Sequence, residues 1–223
     1  MRNPIPGVRR RVRRLVHGNV AFKAGSYVAP RDLRPLRPDE IAATDAFHRV
    51  YYDAWEKGTG DGRGTITLSW FGHRTLKSPL DLWTYQEILV ETRPDLIVEC
   101  GTRFGGSAYY LASLLDLIGH GRVLTVDIEA MNGRPVHRRI AYVLGSSTDP
   151  AIVAQVRAAA VGKRVMVILD SDHAAAHVAA ELAAYHDLVA VGCYLIVEDT
   201  NVNGHPVRPD FGLSERDTAH AVT

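Results

Sequence analysis

After Pro94 the chain alternates between short apolar runs and longer amphipathic stretches. The runs at 96–100, 123–126, 140–144, 165–169 and 194–197 are rich in Val, Ile and Leu, as strands buried on both faces are. The stretches between several of them, 106–117, 150–161 and 174–189, are Ala-, Leu- and Val-rich and long enough for crossover helices. This rhythm predicts a Rossmann-like α/β fold: a doubly wound, mostly parallel sheet with helices packed on it. Upstream, 38–58 reads as a helix, because Pro38 suits a first turn, Asp39 and Glu40 suit its positive end and Gly58 follows its close. Residues 58–64 then form a loop. Ser78-Pro79-Leu80-Asp81 offers an N-cap, a proline at N1 and a carboxylate at N3, and opens a second helix running to about residue 93. The chain thus divides into an N-terminal arm and helical segment, 1–64, suited to a lid or an oligomer contact, and a Rossmann-like domain, 65–223.

Composition narrows the class. At 223 residues with 46% hydrophobic content, one α/β core is affordable and two are not. The balance of 26 basic against 25 acidic residues creates no global field for nucleic acid or an anionic membrane, so neither is expected as a partner. No run approaches the roughly 18 apolar residues of a membrane span, and the N-terminus lacks the apolar core of a signal peptide. Cys100 and Cys193 sit in apolar strand-like runs, which favours reduced core thiols and a cytoplasmic setting. The basic cluster Arg9, Arg10, Arg11, Arg13 and Arg14 reads as a solvated arm.

In doubly wound sheets, ligands sit beyond the carboxyl ends of the strands. The first of these strands ends in Glu99-Cys100-Gly101-Thr102-Arg103-Phe104-Gly105-Gly106-Ser107, whose glycines would let a ligand approach the backbone. The spacing is neither that of the dinucleotide-binding turn nor that of a phosphate-binding loop, which weakens NAD and ATP readings. Asp127 closes the next strand, where a carboxylate accepts hydrogen bonds from a ribose diol. Ser147, after the third strand, lies where it could line a base pocket or cap the following helix. Together these residues point to a nucleoside-containing cofactor.

The fourth and fifth strands end in Asp170-Ser171-Asp172-His173 and Glu198-Asp199. Asp170, Glu198 and Asp199 would meet at neighbouring strand ends, where like charges repel unless a cation neutralises them. Oxygen ligation favours Mg²⁺, Mn²⁺ or Ca²⁺ over zinc. His173, on the same rim, is suited to act as a general base. A zinc pair of His173 with His177 is the competing reading, but no further zinc ligand completes it.

With these residues in place, Leu80-Asp81-Leu82-Trp83, the Glu99-to-Ser107 turn, Asp170-x-Asp172-His173 and Glu198-Asp199 resemble the cephalosporin hydroxylase family, which includes rhamnosyl O-methyltransferases. The resemblance implies S-adenosylmethionine (SAM) bound by the turn (Glu99, Gly101, Thr102, Gly105, Ser107) and by Asp127, Ser147 and Asp170. It also implies Mg²⁺, with Mn²⁺ as a substitute, ligated by Asp170, Glu198 and Asp199, and His173 as base. The implied activity is O-methylation of a hydroxylated small acceptor, a sugar or glycoside, by a homo-oligomer. The rivals are a SAM-binding accessory protein of a β-lactam hydroxylation or methoxylation system, and a catalytically impaired binder. Two departures stand out: Ala174 replaces the serine usual after the histidine, and the chain reaches Thr223 soon after Asp210-Phe211-Gly212. The second predicts a shortened C-terminal part of the sheet, one completed by another subunit, or a truncated sequence.

Overall fold

The computed structural model describes residues 16–17, 20–21, 35–56 and 68–200. The arginine cluster, the loop at 58–64 and the C-terminal stretch from 201 lie outside the described residues. A two-residue antiparallel pair, β1 (Val16–His17) with β2 (Val20–Ala21), precedes helix α1 (Pro38–Glu56). A small hairpin follows, β3 (Ser69–Trp70) with β4 (His73–Arg74). Phe71 and Gly72 form its turn, both at positive φ (46° and 83°), which matches the twist of a two-residue hairpin. The sequence does not signal this hairpin, because two-residue strands show no alternation and Phe is not a turn residue.

Helix α2 (Pro79–Thr92) begins as its sequence predicts. The Ser78 hydroxyl accepts from the Leu80 N–H at 3.3 Å, Pro79 opens the first turn, and Arg93 closes the helix in a left-handed conformation with its N–H donated to Leu89 O. Strands β5 (Leu96–Cys100), β6 (Arg122–Asp127), β7 (Ile140–Leu144), β8 (Val165–Leu169) and β9 (Leu195–Val197) then form one parallel sheet in the order β7-β6-β5-β8-β9. The crossover helices are α3 (Gly106–Ile118), α4 (Pro150–Ala160) and α5 (Ala175–Tyr185).

Every residue of β5 and β8 is buried, and their side chains divide by parity between two cores. Ile97, Met166 and Ile168 face α2 and α3 through Leu89, Leu111 and Leu115. Val98, Cys100 and Val167 face the opposite layer, with Val156 of α4 and Tyr185 of α5. The predicted helix at 174–189 stops at Tyr185, and a 3₁₀ turn covers His186–Leu188. There Arg157 grips the Asp187 carboxylate through two hydrogen bonds of 2.9 and 2.7 Å, turning the chain back toward β9.

The topology sets the location of the site. The chain leaves β5 on one side toward β6 and β7, then crosses back to β8 and β9 on the other. Connections therefore diverge from the adjacent carboxyl ends of β5 and β8, which opens the crevice where such sheets bind ligands. The hairpin packs beside it on α3. A Cβ on Gly106 would lie 2.1 Å from the Arg74 carbonyl, so only glycine lets α3 and β4 approach so closely.

Candidate active site

A cavity of about 390 Å³ opens at this carboxyl edge, within the roughly 300–1,000 Å³ of small-molecule sites. Gly101, Asp127, Ser147 and Asp170 line it, together with Ser171 and His177. Glu99, Thr102, Gly105 and Ser107 are not brought to its wall. Glu99 is fully buried, and its carboxylate accepts from the Ser107 and Thr125 hydroxyls, each at 2.6 Å. Burial pushes its carboxyl pKa up, opposed by those two hydroxyl donors. The Thr102 hydroxyl pairs with that of Thr125 at 2.6 Å, and Gly105 is the N-cap of α3 at φ 77°. These four residues brace the turn from beneath.

Gly101 also has a different reason from the expected one. Its φ is +97°, and a Cβ there would lie 1.9 Å from the Asp170 carbonyl oxygen. The close neighbour is the backbone following β8, so this glycine serves the β5–β8 contact as well as lining the cavity. Asp127 uses Oδ2 to accept from the Thr102 N–H (3.1 Å), the Arg103 N–H (2.6 Å) and Arg134 Nη2 (2.9 Å). Among the described residues its Oδ1 accepts only from the Glu129 N–H at 2.9 Å, leaving capacity for a ligand hydroxyl.

Beneath the opposite wall, Glu181 of α5 is fully buried. Its Oε1 accepts from the Ser147 and Ser171 hydroxyls, and His177 Nε2 lies 3.2 and 3.1 Å from those same oxygens. This network turns His177 inward. Among the described groups, the zinc pairing with His173 therefore has no counterpart.

Beside the cavity, one ligand atom each from Asp170, His173 and Asp199 lies within 4.8 Å of the others. Asp199 is at φ +56°, a left-handed conformation that aspartate tolerates better than most residues, and it sets its carboxylate oxygen 3.2 Å from His173 Nε2. Ala174 is the N-cap of α5 and contributes no side-chain bond. The Asp172 carboxylate accepts from the Ala174 N–H at 2.9 Å, so a neighbouring side chain takes up one of the donors at this helix start.

Glu198 stands apart from that group, because Lys77 takes it. The ammonium of Lys77, whose side chain is only 5% exposed, lies 2.7 Å from Asp170 Oδ2 and 2.9 Å from Glu198 Oε1. The Tyr85 hydroxyl also donates to Glu198 Oε1. Burial lowers the Lys77 pKa, but Asp170 and Glu198 outweigh it and hold the group above the ordinary lysine range. Burial raises the Asp170 carboxyl; Lys77 opposes that shift, while Glu198 and Asp199 add to it. The inference that the three carboxylates converge unpaired, with an added ion as the only cation, is thereby corrected. One ammonium already sits among them, yet a single positive charge leaves three carboxylates under-neutralised. Asp170, His173 and Asp199 still fit a hard divalent cation through oxygen and imidazole donors.

Sequence reasoning missed Lys77, Tyr85, Arg134 and Glu181. Glu181 carried one usable signal, a lone acid within the apolar run Val178-Ala179-Ala180-Glu181-Leu182. Lys77 carried none, since its partner Asp170 lies 93 residues away. Among the aromatic residues of the hairpin and α2, Tyr85 is core and Trp70 packs edge-on against Tyr110. Phe71 and Trp83 are exposed, at 77% and 67%.

The parallel sheet with its cavity at the β5–β8 edge defines a Rossmann-like α/β domain. The chain belongs to the Rhamnosyl O-methyltransferase/CmcI family, whose pattern matches residues 63–222, and it is an O-methyltransferase. A rhamnosyl O-methyltransferase of Mycobacterium tuberculosis (strain H37Rv) is 42% identical over 184 residues, 79% of this chain and 71% of the relative. One from Mycobacterium leprae is 39% identical over 192 residues, 83% of this chain and 79% of its own. Among solved structures, apo CmcI is 24% identical with a TM-score of 0.51, covering 77% of this chain and 69% of that one. The Mg-SAM structure of CmcI is 22% identical with the same TM-score, over 78% and 69%. These two likenesses show the shared fold.

Proposed function

We propose that this chain transfers a methyl group from SAM to a hydroxyl of a sugar or glycosylated small acceptor, with a divalent metal, Mg²⁺, held by Asp170 and Asp199. One observation carries the reading: Asp170 belongs both to the cavity wall and to the cluster with His173 and Asp199, so a donor in the cavity would adjoin the proton-handling groups. The M. tuberculosis and M. leprae relatives are rhamnosyl O-methyltransferases, and CmcI has been solved with magnesium and SAM, which supports the same assignment here.

When bound, SAM supplies a methyl on a cationic sulfur, and the metal supplies a Lewis acid that eases ionisation of a ligated hydroxyl. The residues of the chain do the rest. Asp127 Oδ1 accepts from the ribose hydroxyls, and Ser147 and His177 line the remainder of the pocket. His173 donates Nε2–H to Asp199, which fixes ring and tautomer, so that Nδ1 presents its lone pair to the acceptor hydroxyl and takes the proton. Positioning contributes most of the remaining acceleration, because a sugar hydroxyl is barely ionised at neutral pH.

Two measurements test this. Calorimetry should show SAM binding that weakens in Asp127→Ala by about 10- to 150-fold, the loss of a charge-assisted hydrogen bond of roughly 1.5–3 kcal/mol. Mass spectrometry of rhamnosides and other glycosides incubated with SAM and Mg²⁺ should show a gain of one methyl. Asp170→Ala should abolish both that gain and its dependence on Mg²⁺. Turnover that persists undiminished in chelator would remove the metal from the mechanism, and a panel of glycosides left unmethylated would remove the sugar.

A further inference from the structure

We propose that Lys77 is an internal counter-ion that competes with the divalent metal for Asp170, so that metal occupancy requires displacement of its ammonium. The inference rests on the metal reading above and goes beyond it, since it concerns what holds the carboxylates when no ion is bound. The Lys77 ammonium touches Asp170 and Glu198 at 2.7 and 2.9 Å, and His173 lies 3.2 Å from Asp199. Each of the three carboxylates thus faces a basic group of the chain itself. A divalent ion drawing on Asp170 Oδ2 would share that oxygen with an ammonium 2.7 Å from it, and two cations so close repel strongly.

Lys77 immediately precedes Ser78, the N-cap of α2, so its backbone is anchored and any displacement of the ammonium falls on its four-carbon stem. Asp81, in the first turn of α2, is exposed and lies within electrostatic reach of both Lys77 and Glu198. It offers a second carboxylate to a displaced ammonium. In the ion-free chain Lys77 keeps buried carboxylates from facing one another bare; in the loaded chain the metal takes over that role.

Mn²⁺ binding to the full chain, followed by loss of the free-ion EPR signal, tests the proposal in wild type, Lys77→Gln, Lys77→Met and Asp170→Asn. Both Lys77 variants should bind Mn²⁺ at least about tenfold more tightly than wild type, because a unit charge beside the ligands is gone. That binding should disappear in Asp170→Asn. Unchanged or weaker binding in the folded Lys77 variants overturns the counter-ion role and leaves the metal reading intact. Absence of any Asp170-dependent Mn²⁺ binding, in wild type and variants alike, overturns both. Should the variants fail to fold, the wild-type chain serves with ¹⁵N-labelled lysine. The Lys77 ammonium resonance should shift saturably with Mg²⁺, whereas a resonance that stays fixed while the His173 signals move overturns the proposal.

Discussion

His173→Ala should lose about 10²- to 10⁴-fold in methyl transfer while SAM binds as it does to wild type. The separation of the two effects follows from geometry. His173 is not part of the cavity wall, whereas Asp170, three residues earlier, is. Its imidazole is held by Asp199 at 3.2 Å, so removing the ring deletes the proton acceptor and leaves the nucleoside pocket untouched. The measurement is single-turnover methyl transfer to a responsive glycoside, run beside calorimetry with SAM. Turnover within a few-fold of wild type would exclude His173 as the base. A parallel collapse of SAM affinity would instead show that the ring shapes the cofactor pocket.

Gly101→Ala should be the most damaging single-methyl change in the described structure. An added Cβ would sit 1.9 Å from the Asp170 carbonyl oxygen, and the backbone is already at φ +97°, where a side chain is strained. Overpacking against rigid backbone together with that conformational cost amounts to about 3 kcal/mol or more. For a chain of this size that corresponds to a fall in Tm of roughly 6–12 °C. The obstacle is the backbone at the end of β8, so relief would move Asp170 itself, and SAM affinity and metal dependence should fall with stability. Thermal melts and calorimetry on Gly101→Ala check this. A variant that melts with wild type and binds SAM normally would show that β5 and β8 are not in such close contact.

Much of the architecture was legible in the chain. The apolar runs at 96–100 and 165–169 coincide with β5 and β8, because strands buried on both faces must be continuously apolar and sequence displays that directly; the run at 140–144 coincides with β7, although at the sheet edge only Val143 of that strand is buried. Helix α2 was equally readable, since Ser78 and Pro79 act through contacts within a single turn. The β3–β4 hairpin was not, as its strands are too short to carry a period and its stability comes from packing on α3. The candidate site was legible as a set of positions but not as a set of roles. Asp127, Ser147 and Asp170 reach the cavity, whereas Glu99 and Ser107, drawn from the same motif, point beneath it and bond each other.

What the sequence by itself determined is whatever depends on near neighbours along the chain: the strand and helix periods, the helix starts, and the carboxylates and histidine that each strand end delivers to one edge of the sheet. Only the tertiary structure decided how those groups are paired. Lys77 enters the acidic cluster from a loop 93 residues before Asp170, and Glu181 reaches Ser147 across 34 residues. The partner of a buried charge is chosen by proximity in space, where desolvation makes an unpaired group costly, and no spacing in the sequence records that choice.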